Sequence, residues 1–371
     1  MNLPRYLPPL DVLRGIAVLV VMISHMKGNV PSLHLQAVFV FHYGWAGVDL
    51  FFVLSGFLIT SILLRTKNNP GYFVNFYARR VLRIWPLYFC LLACGFLIVP
   101  IVQPQLRPTV FEQCHPWQTY LLFVQNLVVP KSGTFGPLQI TWSLCVEEQF
   151  YLVWPLVVLL CSPKNIAKIA VVALLLSLGV RLAATHQWLA IDTYHNTLCR
   201  LDGLAIGSLA AVVVPGFHTK SVQKASLLLG AFALSGLVAA ATLGIGWTLP
   251  GFLSLLFGAG MCLSLSSPTF PRARFLAFTG RISYGLYLLH VPAFDIVRDG
   301  HIRSLIAGSH NVVVNDVVVS VCSMALAFGF AYTSWKVLES PALSLRRYFE
   351  PLQGRIRAHG DYTPTVVTPA L

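Results

Sequence analysis

Ionisable side chains interrupt the apolar runs of this chain, and their types suggest acid–base and anion-binding chemistry. Arg14 and His25 stand about 16 Å, three helical turns, apart in the first apolar run. Asp49 opens the second run, ahead of the small residues Ser55 and Gly56. Arg79, Arg80 and Arg83 precede the third, with Arg80 and Arg83 one turn apart, so that both can grip one anion. In the run that starts at Trp142, Ser143, Glu147 and Tyr151 fall on one helical face, and the adjacent Glu148 points about 100° away. Arg200 and Asp202 open a later run, and His290 ends the motif Ser283-Tyr284-Gly285-Leu286-Tyr287-Leu288-Leu289-His290.

A neutral imidazole at His25 can take a proton from an attacking hydroxyl. Glu147 or Asp49 could hold its tautomer and stabilise the imidazolium, and direct acylation of His25 is a second route. Ser143 or Tyr151 is the candidate to bind a developing oxyanion. His25, Asp49, Glu147, Arg200, Asp202 and His290 all fall in one half of their runs, which predicts a polar pocket on that side. Arg14, Arg80 and Arg83 fall toward the other side and suit phosphates. A coenzyme A thioester is a molecule that would span the two sites.

The elements that must position these residues are membrane helices. Hydrophobic residues make up 56% of the 371 and charged residues only 11%, against roughly 25% in soluble domains. The mean hydropathy of +0.71 agrees. These values exclude a soluble enzyme, a disordered chain and a disulfide-stapled secreted domain. About 20 apolar residues cross a bilayer, and ten runs qualify: 10–27, 45–64, 82–103, 142–161, 166–184, 197–214, 225–243, 249–266, 276–296 and 312–335. The segment 117–129 is too short and reads as re-entrant or interfacial. No small-residue cleavage site follows the first run, so a retained first helix is expected. With the N-terminus cytoplasmic, most of the 26 Lys and Arg residues fall on the inner side. The expectation is an all-α, polytopic bundle of about ten transmembrane helices with both termini cytoplasmic. Its net charge of +13 then reports orientation, and no nucleic-acid partner is expected. The eight cysteines show no metal-ligand spacing, so no metal site is expected.

The chain resembles the acyltransferase family 3 membrane proteins, which include O-antigen and exopolysaccharide O-acetylases and macrolide acyltransferases. The resemblance rests on Leu10-Asp11-Val12-Leu13-Arg14-Gly15 with His25, on Gly47-Val48-Asp49 through Phe57, and on Arg80 and Arg83 ahead of Pro86-Leu87-Tyr88. It continues in Trp142-Ser143 through Tyr151, Arg200-Leu201-Asp202-Gly203, and Ile282 through Pro292. It implies a ten-helix bundle, an acyl-CoA donor and a hydroxyl acceptor. It places an Arg-x10-His pattern on Arg14 and His25 and an Arg-x-x-Arg pattern on Arg80 and Arg83, and it favours Glu147 over Glu148.

The expected protein is therefore a multi-pass O-acyltransferase of the bacterial inner membrane. Residues 1–340 would form the transferase domain and 341–371 a cytoplasmic basic tail, with no room for an appended extracytoplasmic domain. Catalysis is expected from His25, Glu147 and Asp49, and donor binding from Arg14, Arg80 and Arg83. Substrate contacts are expected from Ser143, Tyr151, Arg200, Asp202 and His290. The donor is acetyl-CoA or another acyl-CoA, and the acceptor a hydroxyl of a cell-surface glycan or lipid-linked sugar. Acylation of a macrolide or another small secreted product is the alternative, and a secondary transporter is a further one.

Overall fold

The computed structural model describes residues 7–26, 43–102, 116–128, 138–267, 273–298, 300–309 and 311–349. Eleven principal helices carry the architecture: α1 Pro8–His25, α2 Gly47–Thr66, α3 Tyr72–Ala93, α4 Trp142–Leu160, α5 Pro163–Thr185, α6 Leu201–Val213, α7 Thr219–Thr242, α8 Leu249–Ser266, α9 Arg274–Arg281, α10 Ser283–Arg298 and α11 Val312–Ser334. Among the described residues, nine helices are long and apolar enough to cross a membrane. Leucine, valine and phenylalanine stand exposed along α5 and α7, as on lipid-facing helices.

The expected span 276–296 is not one helix. It divides at Ile282 into α9 and α10, of 8 and 16 residues. The backbone leaves helical geometry at Ile282, at φ −95° and ψ 10°, among Thr279, Gly280, Arg281 and Ser283. Ile282 N bonds back to the Phe278 carbonyl, and Gly280 of α9 is held against Asp11 of α1. The segment expected to be re-entrant forms two short turns, Trp117–Leu121 and Gln125–Leu127. Gln149 of α4 pins them by donating to the Phe123 carbonyl at 2.7 Å and to Asn126 Oδ1 at 2.9 Å.

The core is built by close backbone contact. Helix α6 packs along α2, and α5 along α6. A Cβ at Gly207 of α6 would lie 2.0 Å from the Val53 carbonyl oxygen, and one at Gly56 of α2 would lie 2.1 Å from that of Leu204. Small residues at these positions let van der Waals packing hold the two helices together in lipid, where no hydrophobic force drives them together. Thr60 donates to Ser208 at 2.9 Å across the same seam. Gly207→Ala is therefore expected to destabilise the protein by about 3 kcal/mol, at the upper end of overpacking costs, because backbone on both sides must move. Thermal unfolding of the detergent-solubilised variant, read by size-exclusion chromatography, tests this; an unchanged midpoint would refute the close contact.

Tyrosines stitch α3 to α4. Tyr72 donates to the Pro155 carbonyl at 3.0 Å and Tyr77 to that of Leu152 at 2.9 Å. These bonds hold the arginine-bearing turn of α3 against the face of α4 that carries Glu147.

Candidate functional site

A cavity of 470 Å³ runs along one face of α2. Val48, Phe52, Ser55, Ile59 and Ile62 line it at steps of three or four residues. From Val48 to Ile62 the rise is about 21 Å. Leu7, at the start of α1, and Leu10 line it with Ile62 toward one end, and Ser143 and Tyr287 line it with Val48 toward the other. The volume falls within the range of small-molecule sites.

Arg14, Arg80 and Arg83 all line this cavity, and Arg346 joins them from the C-terminal segment. The Arg80 guanidinium lies over the Tyr151 ring at 5.6 Å and the Phe76 ring at 5.8 Å. Arg14 faces Asp11 at 3.7 Å. The Nε atoms of Arg80 and Arg346 are buried and have no hydrogen-bond partner. Among the residues that line the cavity, four guanidinium groups face the carboxylates of Asp11 and Glu147, beside apolar walls. Half-buried charge of this kind is favoured by a counter-ion. The chemistry of the lining fits an anion.

Glu147 stands in the same cavity. Its Oε1 accepts from Ser55 Oγ at 2.7 Å and its Oε2 from the Tyr151 hydroxyl at 2.7 Å. Ser143, Glu147 and Tyr151 do share one face of α4, but that face looks into the arginine cavity. The sequence expects Glu147 beside the His25 imidazole; in the structure both of its oxygens are engaged by Ser55 and Tyr151, one to two turns below Ser143. Ser55, which stands out in the sequence only as a small residue beside Gly56, is the partner that fixes this carboxylate.

Above Glu147, Ser143 Oγ and the Tyr287 hydroxyl share a 2.6 Å hydrogen bond, and both approach the Ile140 carbonyl. Two hydroxyl groups thus close this end of the cavity. The Tyr287 ring lies 6.1 Å from that of His290, and the His290 ring meets that of His25 edge-on at 5.0 Å. His25 Nδ1 lies 3.0 Å from the Val21 carbonyl oxygen one turn back in α1. A carbonyl only accepts, so in the neutral ring Nδ1 carries the proton and Nε2 holds the lone pair. His290 is fixed in the same way, with Nδ1 on the Leu286 and Tyr287 carbonyls at 3.1 and 2.7 Å. Its Nε2 is buried without a hydrogen-bond partner.

Asp49, Arg200 and Asp202 do not line the cavity. Asp49 and Arg200 form a 2.8 Å ion pair, both fully buried. Arg181 pairs with Asp202 at 2.8 Å beside them, equally buried. The Arg200 guanidinium is enclosed by the rings of Tyr194, Trp142 and Phe52 at 5.3, 5.6 and 5.8 Å. Arg181 also donates to the Trp247 carbonyl at 2.9 Å and to the Cys199 carbonyl. The predicted polar pocket therefore resolves into a solvent-excluded ionic core that ties α2, α5 and α6 together. Asp49 Oδ1 is held by Arg200 in this core.

The connection between α5 and α6 positions the lid of that core. Asp192 accepts from the Tyr194 and His195 N–H groups at 2.7 and 3.2 Å and pairs with His195 Nδ1 at 2.5 Å. Burial pushes its carboxyl up, but the His195 hydrogen bond and charge and the two backbone N–H groups outweigh this, and hold it below the usual carboxylate range. Among the described residues, no group of three His, Cys, Asp or Glu side chains could hold a metal ion.

A family model described as an acyltransferase domain matches residues 8–336. The O-acetyltransferase OatA of Staphylococcus aureus (strain NCTC 8325 / PS 47) is 29% identical over 92% of this chain and 58% of that protein. A putative peptidoglycan O-acetyltransferase of Bacillus subtilis (strain 168), YrhL, is 34% identical over 57% of this chain and 34% of that protein. The chain thus spans less than two thirds of the length of these relatives. No solved structure matches it.

Proposed function

Because the chain belongs to this acyltransferase family, we propose that it is a membrane O-acyltransferase moving an acetyl group from cytoplasmic acetyl-CoA to a hydroxyl of a cell-surface glycan. The observation that carries the proposal is the cavity along α2, which links an arginine cluster to paired hydroxyl groups that lie next to the His290–His25 pair. The Bacillus relative, a putative peptidoglycan O-acetyltransferase, favours a peptidoglycan sugar as acceptor. The arginine-bearing end would face the cytoplasm of a bacterial cell, as the Lys and Arg distribution suggests.

In this reading Arg14, Arg80 and Arg83 hold the donor phosphates, and the pantetheine arm lies along α2. The acceptor hydroxyl attacks the thioester carbonyl while His25 Nε2 removes its proton. The new C–O bond forms, the C–S bond breaks, and the imidazolium returns the proton to the departing thiolate. The hydroxyl groups of Ser143 and Tyr287 stand where a developing oxyanion could be met. Glu147 balances the arginines and, through Ser55 and Tyr151, keeps the cavity wall fixed.

The test is transfer from labelled acetyl-CoA to muropeptide or polysaccharide acceptors by purified protein in proteoliposomes. Acetyl ester on the glycan is expected, with Arg83→Ala raising the donor requirement about tenfold and leaving acceptor choice unchanged. Indifference to coenzyme A, with no ester formed, would overturn the reading in favour of transport.

A further inference from the structure

The C-terminal segment that reads from sequence as a tail folds back onto the bundle. After α11, a π-helical turn at Trp335–Glu339 leads into the short helix Ser340–Ser344 and the turn Leu345–Phe349. Both pieces pack against α3, the helix that bears Arg80 and Arg83. Arg346 is thereby brought to the cavity wall, while its neighbour Arg347 stays exposed and donates to the Tyr348 hydroxyl at 3.0 Å. The Arg346 Nε is buried and meets no acceptor.

Position along the cavity separates Arg346 from the end where Ser143 and Tyr287 lie. It arrives from the end at which α11 finishes, one whole helix away from Asp316, which pairs with Arg303 at 2.8 Å near the start of α11. Leu7 and Ile62 line the same end of the cavity. In a coenzyme A thioester, the group farthest from the sulfur is the adenosine with its 3′-phosphate. That monoester carries about −1.5 to −2 charge at neutral pH, beyond the charge of the pyrophosphate. Three arginines matched to a pyrophosphate leave this group unanswered, and Arg346 supplies the missing guanidinium.

We propose that Arg346 binds the 3′-phosphate of the coenzyme A donor, so that the folded-back segment 340–349 is part of the donor site. This rests on the acyl-CoA reading above. Arg346 then makes the site read the 3′-phosphate and discriminate against donors that lack it.

The experiment measures binding of coenzyme A and of 3′-dephospho-coenzyme A to the full-length protein in nanodiscs, with acetyl-transfer kinetics for the two acetylated donors. The unchanged protein is expected to prefer coenzyme A by about tenfold. Arg346→Ala should weaken coenzyme A about tenfold, leave the dephospho form unchanged, and leave turnover at saturating donor intact. Arg346→Lys should restore part of the preference, and Arg347→Ala should behave as the unchanged protein. Equal weakening of both ligands would overturn the 3′-phosphate assignment. No weakening of either would remove Arg346 from the donor site. If the unchanged protein binds neither ligand, the acyl-CoA reading itself fails, and that result differs from both. Thermal unfolding of each variant guards against loss of fold, and Arg346→Gln serves as the second neutral variant.

Discussion

His25→Ala is expected to lower acetyl transfer by about 10²–10⁴-fold, the range ascribed to a positioned general base. The amount of folded protein should not change. His25 is exposed at the last turn of α1, and its Nδ1 lies 3.0 Å from the Val21 carbonyl of its own helix. No buried charge is left behind when the ring is removed. The measurement pairs turnover in proteoliposomes with the yield of monodisperse protein and coenzyme A binding. Turnover near that of the unchanged protein would sink the base assignment. Loss of yield in step with turnover would mean that the ring is needed for the fold.

Asp49→Ala should act oppositely, through the fold. It strands Arg200 in a site with no water access, enclosed by three aromatic rings. Breaking a buried pair from one side costs about 3–5 kcal/mol, a large share of the stability of most domains. Little folded protein is expected. Removing both charges in Asp49→Leu/Arg200→Met should recover most of the yield, since a buried pair is often replaceable by apolar groups of similar volume. The readout is the fraction surviving size-exclusion chromatography, followed by specific activity per folded molecule. A well-folded Asp49→Asn protein without turnover would instead make Asp49 a member of the chemistry.

The contrast between these two variants shows what the sequence made legible. Spans are readable because lipid demands about 20 apolar residues in a row, and that demand is local. The shared face of Ser143, Glu147 and Tyr151 is readable because helical periodicity is local too. What Glu147 touches is not local: its depth relative to Ser55 depends on how α4 sits against α2. The same holds for Asp49, whose partner Arg200 lies 151 residues along the chain. Both acids stand near His25 in the expected layer, and only packing decides that one meets an arginine and the other a serine and a tyrosine. The break at Ile282 falls among Thr279, Gly280, Arg281 and Ser283, a local signal that hydropathy averaged over a whole span hides. Arg346 carries no signal at all in its own neighbourhood, since a basic cluster after a last helix reads as solvent-facing charge.

The Val21 carbonyl that holds the His25 ring has a practical consequence. Side-chain replacement cannot delete a main-chain oxygen, so the group that chooses which nitrogen is basic is a blind spot for alanine scanning. On the mechanism proposed above, a mutational survey would find His25 indispensable, and Asp49 and Glu147 damaging to replace, and would assemble them into a catalytic triad. The activity lost at the two acids would then be the signature of a broken scaffold and a disturbed cavity wall. Editing the backbone itself, by an ester in place of the Val21–Met22 amide, weakens that carbonyl as an acceptor and is the way to test its hold on the ring.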